Sequence, residues 1–389
     1  MHGWIVKLDK AQYWSTLFDD FFTPFEGFFQ RSESRESARH YLRGLLAEVK
    51  RKNSGQLAEA VGLHDPHRLQ RLLDEVPWDA DKVCAQMRQT VIDQLGYEPG
   101  IGVIDESGFV KKGDKSAGVA RQYCGRLGKV ENCQVGVFLS YATPLGTAFL
   151  DRALYVPQQW FEDRARCRAA RIPEAVAFQT KPQIAQAMLA KAWDEGIPMQ
   201  WVVADTLYGN SPLLRTMIHQ AGRYYVLGIG AHHRVTLADG QQIALSTLIE
   251  RQADSPWDRL CFRLSEKGPV WDEWQAWRIT LAKEVVDEQW LLIRRHPDDP
   301  TDCRCYVSNA PMETPLVDLA GIALTRHSIE QVLEEAKGQT GLADYEVRSW
   351  HGWYRHITLS LLAHTFLKLI QHHQREKKPF AHLVELECG

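Results

Sequence analysis

A chain of 389 residues is long enough for two or three domains and a sizeable buried core. Its 44% hydrophobic and 24% charged residues exclude a disordered or fibrous chain. With 46 Lys plus Arg against 49 Asp plus Glu the net charge is −3, so no global field draws the chain to nucleic acid and any such contact must be a local patch. Two stretches qualify: Arg35–Lys52 with six basic and two acidic residues, and Lys111–Lys129 with six basic and one acidic. For either patch taken alone, a solvated face is the favoured reading. The eight cysteines show no paired C-x2-C spacing, and Cys303-Arg304-Cys305 lacks a second half, so reduced thiols are expected rather than a zinc site. The opening MHGWIVKLDKAQYW carries charge where an export signal needs an apolar core. The apolar run Thr358–Ile370 is interrupted by His364 and Lys368 and is too short to span a membrane. A soluble, cytoplasmic protein is expected.

In chain order, Phe18, Phe21, Phe22, Phe25, Phe28 and Phe29 recur at helical spacing, with a break near Pro24, and predict a packed aromatic stripe. Ser37–Lys52 places Ala38, Tyr41, Leu42, Leu45, Leu46 and Val49 on one helical face. Ser54–Val61 and Pro66–Val76 read as two short helices joined by Gly62-Leu63-His64-Asp65. That is the layout of a helix-turn-helix, and equally of any pair of short amphipathic helices. Asp79–Leu95 continues helical, and Tyr97-Glu98-Pro99-Gly100 marks a boundary.

Beyond Gly100 the texture becomes strands. Ile101–Asp105, Val119–Cys124 and Cys133–Ala142 predict an antiparallel meander, followed by a helix from Thr180, a buried strand at Trp201–Ala204, a helix over Leu213–Gln220 and a strand at Arg223–Gly230. The predicted order is β-β-β-α-β-α-β. From about Ala231 to Leu319, short strands such as Trp290–Arg294 and Cys305–Val307 alternate with polar loops and read as a β-rich insertion. Helical periodicity returns at His327–Lys337 and again over His356–His373.

Asp105 ends the first predicted strand and Asp205 ends the buried strand after the first helix. If those strands lie side by side, the two carboxylates repel unless a cation sits between them. A hard divalent metal takes such oxygens and keeps positions open for phosphate. On the helix from His327, Arg326, Glu330, Glu334 and Lys337 share one face, placing acids between bases. In isolation, each of these features also fits a turn residue, a helix cap or a salt-bridged surface.

Four segments carry a resemblance: VIDESGFVKKGDKSAGVARQYCGRLGKVENCQVGVFLSYA (103–142), ALYVPQQWFEDRARCRAARIP (153–173), WVVADTLYGN (201–210) and IEQVLEEAKGQTGLADYEVRSWHGWYRHITLSLLAHTFL (329–367). Through them the chain resembles the DDE transposases of bacterial insertion sequences, in the seven-hundred-and-one branch of the insertion-sequence-four superfamily. The resemblance implies an α/β fold: a ribonuclease-H-like catalytic domain, a mixed sheet flanked by helices, with a β-rich insertion and a preceding all-helical DNA-binding region. The implied division is 1–98 for the helical region, 99–230 for the first catalytic part, 231–320 for the insertion and 321–389 for the helical part carrying the glutamate.

The resemblance further implies that Asp105, Asp205 and Glu330 are the catalytic, metal-ligating triad, with Glu334 as the alternative to Glu330. The superfamily signature Tyr-x2-Arg-x3-Glu-x6-Lys falls on Arg326, Glu330 and Lys337, with Ala323 where the tyrosine would stand. Glu106 points to the opposite face of its strand and is expected to be structural. Lys111, Lys112, Lys115, Arg164 and Arg168 are expected phosphate contacts, as are Tyr354 and Arg355 in a segment that mixes aromatic and basic groups; Trp353 fits the core equally well. The implied cofactors are two Mg²⁺ or Mn²⁺ ions. The implied partners are double-stranded DNA, as terminal inverted repeats and target, and a second copy in a homodimer. A nuclease without strand transfer and a domesticated DNA-binding regulator are the rival readings.

Overall fold

The structure, a computed structural model, describes residues 2–96, 99–265, 268–282 and 284–376; Tyr97, Glu98 and Cys388, which entered the reading above, lie outside them. The chain opens with helices α1 (His2–Phe22), α2 (Ser32–Leu46), α3 (Ser54–Ala60), α4 (His67–Asp74) and α5 (Ala80–Leu95). Pro24 ends α1 in a 3-10 turn, Thr23–Phe28, and Phe18, Phe22, Phe25 and Phe29 are buried as their spacing predicts. Asn53 caps α3 by accepting from the Gln56 amide, and Leu69, Leu72 and Leu73 bury one face of α4.

Next come β1 (Gly100–Val110), β2 (Ala120–Cys124), β3 (Lys129–Thr143) and β4 (Gly146–Tyr155), then α6 (Arg164–Ala169), α7 (Lys181–Asp194), β5 (Met199–Ala204), α8 (Thr206–Gly209), α9 (Pro212–Gln220) and β6 (Tyr224–Ile229). Thr180 and Gln183 form the capping box that starts α7. Strand β1 pairs antiparallel with β3 and β3 with β4, while β1 runs parallel to β5 and β5 to β6. Sequence reading missed β4. Its apolar run is interrupted by Asp151 and Arg152, which are buried only because they pair with each other and with Arg88 and Asp81.

The segment that follows holds β7 (Arg234–Leu237), β8 (Gln242–Ala244), α10 (Leu245–Arg251), β9 (Asp258–Ser265), β10 (Gly268–Thr280), β11 (Gln289–His296) and β12 (Asp299–Ser308). These strands extend the main sheet, because β12 pairs antiparallel with β6 and the order continues β12-β11-β10-β7-β8 within one sheet of twelve strands. Helices α11 (Leu316–Leu324), α12 (His327–Gln339) and α13 (Trp350–Glu376) complete the described chain. Sequence reading missed α11, whose LVDLAGIAL run is apolar on nearly every side and so has little periodicity to read.

Alternation along the strands separates two cores. Val103, Phe138, Val203 and Val226 pack with Ile329 and Leu333 of α12, Trp353 and Ile357 of α13, and the N-terminal helices. Ile104, Val137, Leu139 and Val202 pack on the other face with Ile184 and Leu189 of α7 and Leu214 and Ile218 of α9. The N-terminal helices thus share a core with the C-terminal ones. Among the described residues, no helix is long and apolar enough to cross a membrane.

Candidate active site

The parallel pairing of β1 with β5 ends at Ile104 and Ala204. Asp105 and Asp205 are the next residues on the two neighbouring strands, so the register sets them at the same level of the sheet. Sequence reading put Asp105 at the end of its strand. The strand instead runs on to Val110 against β3, and it is the pairing with β5 that stops, because Asp205 leaves the sheet to cap α8 by accepting from the Leu207 amide at 2.9 Å. Gly209 lets α8 lie directly on β6, where a Cβ would come within 1.8 Å of the Gly228 carbonyl oxygen.

Both aspartates open on a cleft of about 1520 Å³ that is also lined by Glu106, Arg326, His327, Glu330, Glu334 and Lys337. Burial first, then the charges of Glu106 and Asp205, push the Asp105 carboxyl up to about 7, against the opposing pull of Arg326. Asp205 is raised for the same reasons, burial leading and Glu106 next. Arg326 reaches both sides of the cleft: Nη1 lies 3.5 Å from Asp105 Oδ2, and Nη2 donates to Glu330 Oε1. His327 Nδ1 holds the other Glu330 oxygen at 2.9 Å. Glu334 is exposed on the same helix, Lys337 is half-buried, and Ala323 is buried at the cleft wall.

Glu106 faces the other side of β1, as alternation requires, where Lys181 Nζ donates at 2.8 Å and the Tyr208 hydroxyl at 2.7 Å. Sequence reading did not single out Lys181, Tyr208 or His327. Tyr208 sits inside the WVVADTLYGN string, but only the packing of α7 and α8 on the sheet shows that it and Lys181 hold the acid adjoining Asp105.

The predicted DNA contacts divide by exposure. Lys112, Lys115, Arg164 and Arg168 are exposed. Lys111 is turned inward instead: Nζ donates to the Tyr345 carbonyl at 3.1 Å and stands 3.4 Å from the centroid of that ring, and burial lowers its pKa to about 7. Tyr354 and Arg355 are likewise engaged within the fold. The Tyr354 hydroxyl accepts from the Leu154 amide, and Arg152 lies over its ring. Arg355 is buried and donates to the Leu73 and Trp78 carbonyls, so it joins α13 to the N-terminal helices rather than facing DNA. Trp353 is fully buried.

As the side chains stand, no group of three His, Cys, Asp or Glu among the described residues is close enough to hold a metal ion. The donor chemistry nevertheless fits a hard divalent cation. Two part-buried carboxylates stand close enough that the charge of Asp205 helps to raise the Asp105 pKa, and the third acid is joined to Asp105 through one arginine.

Residues 24–285 match the family described as DDE superfamily endonuclease. The chain belongs to that family. The match takes in Asp105 and Asp205 and ends before Glu330. A probable transposase for insertion sequence element IS701 from Microchaete diplosiphon is 28% identical over 287 residues, which is 72% of this chain and 72% of that protein. The NurA nuclease of Sulfolobus solfataricus aligns over 64% of this chain and 80% of its own, at 9% identity and a TM-score of 0.28, a likeness too slight to bear on fold or site. Endonucleases of the DDE superfamily use divalent metal ions, in keeping with the carboxylate donors of this DDE endonuclease.

Proposed function

We propose that this DDE endonuclease is a DNA transposase that cuts the ends of its insertion sequence and joins them to target DNA. The observation that carries the reading is the meeting of Asp105 and Asp205 on adjacent parallel strands, in one cleft with Glu330 and bridged to it by Arg326. Membership of the family and the IS701 relative support the substrate. The strand order β4-β3-β1-β5-β6, antiparallel in its first three members and parallel in its last three, supports a ribonuclease-H-like core over 99–230. We assign 231–320 to the insertion, 321–389 to the part bearing the glutamate, 1–98 to DNA binding, and the working state to a homodimer in the cytoplasm.

In this reading Asp105, Asp205 and Glu330 would hold two Mg²⁺ or Mn²⁺ ions, which would neutralise the phosphoryl oxygens and favour deprotonation of the attacking water. The protein's own task is positioning. Arg326 and Lys337 would steady phosphate at the cleft, Glu106 would fix β1 through Lys181 and Tyr208, and exposed Lys112, Lys115, Arg164 and Arg168 would hold the backbone farther out. Water attacks phosphorus at the element end as the 3′-oxygen leaves and takes a proton. The resulting 3′-hydroxyl then attacks a target phosphodiester, forming one P–O bond as another breaks, with no covalent protein–DNA intermediate.

The test is end cleavage of a duplex carrying the inverted repeats that flank the gene. Asp105→Ala and Asp205→Ala are expected to lose cutting by more than about 100-fold while still binding the duplex. Cutting at wild-type rate by either variant would refute the assignment.

A further inference from the structure

Three large hydrophobic side chains are exposed between positions 123 and 130: Tyr123 at 60%, Leu127 at 43% and Val130 at 54%. They sit on the hairpin formed by β2 and β3, at the end of the basic stretch Lys111–Lys129 and directly after it. Isolated exposed hydrophobics need no explanation, but a cluster on a terminal strand invites association unless it has an occupant. In the hairpin register Tyr123 is opposite Val130 and Arg121 opposite Asn132, so Arg121, Tyr123 and Val130 share one face. The other face is anchored. Cys124 is buried there against Gly108 of β1, where a Cβ would come within 2.5 Å of its sulfur, while on the Tyr123 face Asn132 Nδ2 ties β3 down by donating to the Lys111 and Gly113 carbonyls at 2.7 and 2.8 Å. The hairpin is therefore fixed to the same strand that carries Asp105, three residues before Gly108. Tyr123 and Gly125 line the cleft that holds the acids.

We propose that this hairpin face is a stacking platform for unpaired DNA at the reacting end: Tyr123 takes a base, Val130 and Leu127 extend the apolar surface, and Arg121 contacts the adjoining phosphate. The inference rests on the transposase reading and adds the form of DNA that the cleft holds. The Tyr123 hydroxyl can donate to a phosphate, a contact that Tyr123→Phe removes, but the ring itself carries no charge, whereas every base has a π-face that stacks on it. In an intact duplex those faces are hidden against neighbouring bases, so the platform is matched to a strand that has been cut, frayed or splayed. Arg121, two residues along on the same face, supplies the charge that a base alone would not need.

The experiment is fluorescence anisotropy in EDTA, so that nothing is cut, using a blunt duplex and the same duplex with a single-stranded thymidine extension. Tyr123→Ala is expected to weaken binding of the extended DNA about tenfold and to leave the blunt duplex within about twofold, with the salt dependence unchanged and Tyr123→Phe restoring affinity. Equal loss on both DNAs, or no loss on the extended one, would overturn the proposal. So would a change in self-association on sedimentation with DNA binding unaltered, which would make the face an interface between copies. Since no turnover is read, failure of the catalytic assignment in the cleavage assay and failure of the platform here are separate results.

Discussion

Asp105 makes the electrostatics of the site measurable without DNA. A carboxyl whose pKa is raised by folding holds its proton more tightly in the native state, so it favours folding below the unfolded value of about 4, and that contribution is lost as pH rises through about 7. Buried His356, pushed down to about 3, acts in the opposite direction below its ordinary value, so the comparison must be made against a variant at Asp105. In EDTA, urea midpoints of wild type are expected to fall between pH 5 and pH 8 relative to those of Asp105→Asn; parallel curves would show that Asp105 carries no such shift. The two aspartates were legible in the sequence because each follows a strand-like run and sits inside a long family string. Lys111, Tyr354 and Arg355 were not, since a cation or phenol that meets a carbonyl or amide has the same letter as one that faces water.

Helix α13 shows how an element can be misread while its existence is plain. Its periodicity revealed a helix, but its second turn seats Arg355 on the carbonyls of Leu73 and Trp78 at 3.0 and 3.2 Å, while the Ser349 hydroxyl just before the helix donates to Asp74 at 2.7 Å. These bonds tie the helix to α4 and to the turn that precedes α5. Removing the guanidinium leaves two buried carbonyls without a donor, so Arg355→Ala is expected to lower stability by about 2 kcal/mol or more in urea unfolding. Affinity for DNA should stay within about twofold; a variant of normal stability with weakened binding would return Arg355 to the DNA surface. Strand β4 escaped notice for the converse reason, its buried Asp151–Arg152 pair imitating a polar turn.

Over the whole molecule, strands β7–β12 and β1–β6 form one sheet, and a buried ion pair reinforces the join. Arg215 of α9 pairs with Glu284 beyond β10, both side chains only 2% exposed, and Arg215 also donates to the Gly209 carbonyl at the end of the helix that Asp205 caps. Arg215→Ala strands the glutamate in the interior and is expected to cost about 3–5 kcal/mol, with unfolding still a single transition. A second, earlier transition would mean that the insertion folds apart from the rest. The central claim is that Asp105, Asp205 and Glu330, brought from two strands and a distant helix, form one centre for cutting and joining. It is tested most directly by incubating wild type, Glu330→Ala and Glu334→Ala with a duplex carrying the flanking inverted repeats, a target plasmid and Mg²⁺ or Mn²⁺. The account predicts joined products from wild type and Glu334→Ala and none from Glu330→Ala; joining by Glu330→Ala, or cleavage without joining by wild type, would contradict it.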